Sequence, residues 1–146
     1  MKATKFFSKE QQTAIIQAIA NAEKNTSGEI RVQLDDTCKG NVLDVAADHF
    51  KRLKMHETEL HNGVLFYISV DDRKFAIIGD KGIHEKVPEN FWDSVRDVVL
   101  THFKKQEFDI GLIKGIEMAG EKLSAFFPYH KNDTNELTND ISFNNN

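Results

Sequence analysis

The most constraining stretch of the sequence is Gly63 to Val70, GVLFYISV, followed at once by Asp71-Asp72-Arg73-Lys74 and then by Phe75 to Ile78. A run so nearly apolar or β-branched suits a strand covered on both faces, and therefore the centre of a sheet. The short polar break leaves no room for a crossover, so the second apolar run must return antiparallel as a hairpin. Any fold for this chain has to lay other elements over both sides of that strand.

Helical patterns on either side supply the cover. Ser8 with Gln11 three residues later predicts a capping box ahead of a stripe of Ile15, Ile19 and Ala22, flanked by Ile16. Asn25-Thr26-Ser27-Gly28 ends that helix. Glu29 to Leu34 then alternates, with Ile30, Val32 and Leu34 on one side and Glu29, Arg31 and Gln33 on the other, the pattern of a half-buried strand. A polar loop, Thr37 to Asn41, leads to a second helix with Leu43, Ala46, Ala47, Phe50 and Leu53 on one face, and His56 to Asn62 is the next loop. After the hairpin, Gly79-Asp80-Lys81-Gly82 ends the third strand, and Pro88 predicts the first turn of a helix carrying Phe91, Trp92, Val95, Val99 and Phe103. Asp109 is placed to cap a last helix running through Ile113, Ile116, Ala119 and Leu123 to Phe127, where Pro128 stops it. Gly111 and Gly115 on that helix permit close approach of a neighbour.

The order α-β-α-β-β-α-α predicts an α/β fold: an αβα sandwich with a small mixed sheet of three to four strands and helices on both faces. Its first two strands, separated by a helix, are expected to be parallel with a right-handed crossover. That topology gathers Glu29, Asn62 and Asp80 at one end of the sheet, and Asp35, Asp36, Asp71 and Asp72 at the other. A single domain over residues 8–128 is expected. Residues 129–146, with six Asn among the last fifteen, are expected to form a disordered polar tail.

Composition narrows the function. The chain has 146 residues, 40% of them hydrophobic and 11 of them Phe, enough for a core without metal or disulfide support. Its 19 Lys and Arg against 23 Asp and Glu give a net charge of -4, which argues against a dedicated nucleic-acid binder. The lone Cys38 excludes an intramolecular disulfide and a thiolate-clustered zinc. No apolar run approaches the ~20 residues of a membrane-spanning helix. The lysine-bearing N-terminus lacks an apolar signal core, so a cytoplasmic location is expected.

No nucleophile elbow and no phosphate-binding loop is present. What remains is carboxylates and amides in loops, the ligand class of hard cations such as calcium. Asp80, wedged between Gly79 and Gly82 after a buried strand, is the first candidate ligand; Asp109, Glu107, Glu59 and Asn62 follow, with Glu29 and Glu85 beside them. The start of the last helix at Asp109 is expected to bring a fourth loop over the Asp80 end. Against this, most surface acids are solvated or cap helices. Asp71 and Asp72, with Asp35 and Asp36, are the rival set, because open α/β sheets bind ligands at the carboxyl ends of parallel strands. Turn formation by Asp71 and Asp72 is the simpler account of that pair. His56 and His61 read as solvated, and Trp92 as core.

The segments SGEIRV, HNGVLFYISVDDRKFAIIGDKGIHEKVPENFW and FDIGLIKGIEMAG together resemble the TPM-domain family, named for thylakoid-lumen proteins and their relatives. The resemblance covers residues 8 to 128. It implies a Rossmann-like αβα sandwich and divalent-metal binding, calcium most often, in loops at one end of the sheet. It also implies, as an alternative, a metal-dependent acid phosphatase, for which this chain shows no nucleophile. A stand-alone monomeric domain, responsive to metal and presenting its ordered loops to a protein partner, is the resulting expectation.

Overall fold

The computed structural model describes residues 1–130 and 135–144. Residues 131–134 and 145–146, part of the expected tail, lie outside the described residues. Helix α1 (Lys9–Ala22) is followed by β1 (Glu29–Asp35), α2 (Val42–Arg52), β2 (Gly63–Ser69), β3 (Lys74–Gly79), a single helical turn α3 (Lys81–His84), α4 (Asp93–Lys104), α5 (Phe108–Phe126) and a short β4 (Ser142–Phe143). The sheet order is β3-β2-β1-β4. β1 and β2 are parallel, with Glu29 opposite Gly63 and Asp35 opposite Ser69, and β3 returns antiparallel along β2. Both pairings are those expected from the sequence.

Local chemistry explains where the helices begin. The Ser8 hydroxyl accepts the Gln11 N–H while the Gln11 side chain accepts the Ser8 N–H, a complete capping box. Asn41 caps α2 by accepting from Leu43 and Asp44. Two starts differ from expectation. α4 begins at Asp93 rather than at Pro88, because Ile83 and Phe91 are both buried and the chain between them turns to place each in the core. α5 begins at Phe108, so Asp109 occupies its first turn instead of capping it.

The larger core lies on one face of the sheet, where Ile30, Val32, Val64 and Phe66, all fully buried, meet α1, α4 and α5. Gly115 makes the contact between α4 and α5 possible: a Cβ there would sit 2.5 Å from Val99 and 3.2 Å from Phe66. α2 covers the other face at β2 and β3, over Leu65, Tyr67 and Ala76.

Two expectations about β1 are corrected. It is not half-buried: all seven positions are buried, including Glu29, Arg31, Gln33 and Asp35. The described part of the supposed tail is also not a free end. β4 pairs parallel with β1, Asn144 donates to the Leu34 carbonyl, Ile141 is buried, and Arg31 donates to the Asp140 carbonyl. β1 keeps its polar row buried because this segment and α2 supply hydrogen-bond partners that water would otherwise provide.

Candidate functional site

The parallel register and the hairpin bring three loops together where β1 and β2 begin and β3 ends. The Asn62 carbonyl accepts the Glu29 N–H, and the Gly63 carbonyl accepts the Asp80 N–H. Asn62 is buried, with its amide donating to the Ser27 hydroxyl at 3.3 Å. Asp80 caps α3 by accepting the Lys81 N–H with one carboxylate oxygen at 2.7 Å. Its other oxygen, Oδ2, is buried and has no hydrogen-bond donor among the described residues; His61 Nδ1 stands 3.5 Å away. The backbone oxygens of Leu60 and His61 pack against Gly82, two residues on, so closely that a Cβ there would lie 2.4 and 2.5 Å from them. Only glycine allows the two loops to meet in this way.

Glu29 starts at this end, but its carboxylate is committed to the C-terminal segment, accepting the Leu137 N–H at 2.6 Å. Burial pushes its pKa up to about 7, against the lowering effect of that hydrogen bond, with Glu136 adding repulsion. Glu23, which accepts the Ile30 N–H, is likewise raised by burial to about 7. Both line an open cavity of about 390 Å³ beside Lys24, Asn135 and Asn139. Glu59 and Glu85 flank the end as exposed side chains, and the Glu59 N–H donates to the Glu136 carboxylate.

Glu107 and Asp109 do not join them. Nineteen residues at about 1.5 Å each make α5 roughly 28 Å long, longer than the sheet is tall. Its C-terminal end is tied to the start of β1, where the Phe127 carbonyl accepts the Ser27 N–H. Its first turn therefore lies at the hairpin end, where the Arg73 guanidinium sits 4.9 Å from the Phe108 ring. Glu107 pairs there with His102 at 2.9 Å. The sequence does not fix the direction of this helix, and the expected fourth loop over Asp80 is absent.

The rival acids at the hairpin end are occupied. Asp36 accepts the Ala3 N–H, Asp71 the terminal ammonium, and Asp72 both the Cys38 N–H and the Ser69 hydroxyl. These backbone hydrogen bonds hold the Asp36 and Asp72 carboxyls below the usual carboxylate range. Asp35 anchors a network that sequence reading missed. It accepts from Gln33 at 2.7 Å, Tyr67 at 2.8 Å and His49 Nε2 at 2.7 Å. Because Arg52 can only donate to His49 Nδ1, at 2.6 Å, His49 is the Nε2–H tautomer donating to Asp35. Burial alone would raise Asp35, but the hydrogen bonds from His49, Gln33 and Tyr67 outweigh it and hold its pKa low. The only signal in the sequence was the polar alternation of β1, which reads as exposure. Among the described residues, no three His, Cys, Asp or Glu side chains converge closely enough to enclose a metal ion.

Comparison with known families is decisive at this point: the model of the TPM domain matches residues 1–122. The chain belongs to the TPM-domain family. Among solved structures, this TPM domain is similar to the BA42 protein from the psychrophilic bacterium Bizionia argentinensis, at 48% identity over 98% of this chain and 99% of that one, with a TM-score of 0.92. Its fold is also shared with the N-terminal domain of a protein from P. gingivalis, at 17% identity, 86% and 83% coverage, and a TM-score of 0.70. The N-terminal domain of the cg2496 protein from Corynebacterium glutamicum gives 11% identity, 90% and 80% coverage, and a TM-score of 0.66. No curated protein matches the chain. Among the described residues no helix is long and apolar enough to cross a membrane.

Proposed function

We propose that this TPM domain binds a divalent cation, calcium before others, at the loop end of the sheet, and that the cation stiffens the 60–62 and 80–82 loops for a protein partner. The observation that carries this reading is Asp80 Oδ2, a buried carboxylate oxygen without a donor. A buried carboxylate oxygen without a hydrogen bond is costly, and a cation beside it lowers the cost. Oxygen ligands suit a hard cation, so in this reading Asp80 is the first ligand, the Asn62 side chain and the Leu60 and His61 carbonyls are its companions, and water completes the shell. One carboxylate makes a weak site, suited to millimolar rather than nanomolar calcium. Glu29, whose carboxylate is engaged by the Leu137 N–H, and the exposed Glu59 and Glu85 flank this end without being direct ligands; Glu107 and Asp109 belong to the other end and are dropped from the ligand set.

The test is a calcium titration followed by backbone NMR on the wild type, Asp80→Asn and Asp71→Asn. Asn retains the capping oxygen for Lys81, so the first variant removes charge with little change in local structure. Saturable shifts at residues 60–62 and 80–82, lost in Asp80→Asn and kept in Asp71→Asn, are the expected result. Loss in Asp71→Asn with retention in Asp80→Asn would move the site to the hairpin end. A cation bound by the native state alone also raises the melting temperature by mass action, and chelator should reverse that gain.

A further inference from the structure

The hairpin end, away from the Asp80 loops, holds a cavity of about 270 Å³ that the cation reading does not use. Its walls are Phe6, Val70 at the end of β2, Leu100 and Phe103 from α4, and Phe108 from α5. Two tight turns lie at this corner. Arg73 in the β2–β3 turn and Gln106 between α4 and α5 both have left-handed backbone, at φ 54° and 62°. Leu100 remains 37% exposed at the opening although its neighbour Val99 is fully buried.

The charges around this apolar space have one sign. Among the described residues, the charged ones lining it are Arg73, Lys74 and Lys104, with no acidic side chain beside them. Arg73 lies over the Phe108 ring, a contact that leaves its N–H groups free to bind an anion. Lys74 donates to the Gly40 carbonyl at 3.3 Å. The side chain of Lys104, exposed at the end of α4, has neither an ion pair nor a hydrogen bond among the described residues. The cavity at the opposite end of the sheet differs: Glu23 and Glu29 line it together with Lys24. The hairpin cavity also sits beside the carboxyl end of a parallel strand, where open α/β sheets place their ligands.

We propose that this cavity is a binding site for a small organic anion with an apolar body, a medium-chain or aryl carboxylate, whose body lies against the wall that Phe6, Phe103 and Phe108 form and whose carboxylate meets Lys104 and Arg73. Its volume lies at the lower limit of small-molecule pockets, which restricts the ligand to a single ring or a short chain. The site is independent of the cation proposed for the Asp80 loops, and neither needs the other.

Sodium octanoate, n-octylamine and 1-octanol, titrated separately into the full chain and followed by backbone NMR, test the charge requirement. Octanoate should give saturable shifts centred on Val70, Leu100, Phe103 and Phe108, and bind at least about tenfold more tightly than octylamine, a difference of about 1.4 kcal/mol. Octanol should fall between them. Lys104→Glu, at an exposed position that bears on no core contact, should weaken octanoate about tenfold. Leu100→Trp should fill the opening and block it, with the melting temperature reporting that the variant is folded. Equal affinity for octanoate and octylamine, undiminished binding by Lys104→Glu, or shifts scattered over the surface would overturn the proposal.

Discussion

The two sides of β1 are buried to nearly the same degree by opposite chemistry. Ile30, Val32 and Leu34 point into the helical layer of α1, α4 and α5 and are fully buried. Glu29, Arg31, Gln33 and Asp35 point to the other side, and none is more than 9% exposed. The first row is held by the loss of apolar surface from water, which needs no particular partner. The second is held by specific donors and acceptors on Leu137, Asp140, His49 and Tyr67. Burial is therefore a poor guide to what holds a strand in place. One side tolerates changes of pH and loses stability only when volume is removed; the other depends on protonation and on a segment more than a hundred residues away.

The largest effect that this contrast predicts is on the apolar side. Phe66→Ala, at a fully buried position of β2, should cost roughly 3–5 kcal/mol in denaturant unfolding by leaving a cavity. A cost under about 1 kcal/mol would mean that the layer collapses around the gap and that the apolar side is not close-packed.

On the polar side, removing residues 135–146 should cost about 2–3 kcal/mol. It removes the buried Ile141, uncovers the surface that Ile141 packs on, and strips the Leu34 carbonyl and Glu29 carboxylate of their donors. An unchanged melting temperature would show that the segment contributes nothing to the fold and that the polar row is satisfied by water. Asp35→Ala should cost about 1–3 kcal/mol, since it leaves the Tyr67 hydroxyl and the Gln33 amide without their acceptor. A neutral outcome would mean that these groups find other partners.

The smallest effect is on pH dependence. Glu23 and Glu29 have folded pKa values of about 7, raised by burial from the usual 4.5. The folded chain therefore binds more protons than the unfolded chain between those values. Their contribution to stability is fully present below pH 4.5, falls as pH rises and is lost above about 7. Melting curves from pH 5 to 8 for the wild type and Glu29→Gln should diverge, with the variant gaining relative stability at the alkaline end. Parallel curves would place Glu29 in contact with water and weaken the contrast between the two sides.

Much of the scaffold was legible because it rests on local rules. The capping box at Ser8 and Gln11, the doubly covered β2 and the tight return at Asp71 to Lys74 are each written within a few neighbouring residues. From these came the parallel and antiparallel pairings, and with them the meeting of Glu29, Asn62 and Asp80 at one end. Beyond the shifted helix starts, the misread parts involve long-range geometry. Ser142 and Phe143 form a strand only because β1 offers an unpaired edge, and two residues among asparagines carry no period of their own. The direction of α5 is set by where its ends dock, so no reading of Asp109 and its neighbours could put them at the hairpin end.

The sequence by itself determined the family, the alternation of helices and strands and the central hairpin, because hydrophobic period and turn chemistry are properties of adjacent residues. Tertiary structure alone decided that the polar row of β1 is buried, that Asp80 keeps one oxygen without a donor, and that an apolar cavity with a cationic rim opens beside Lys104. The physical reason is that a polar side chain carries the same hydrophilic signal whether its partner is water or a distant amide, and only the folded chain selects between them.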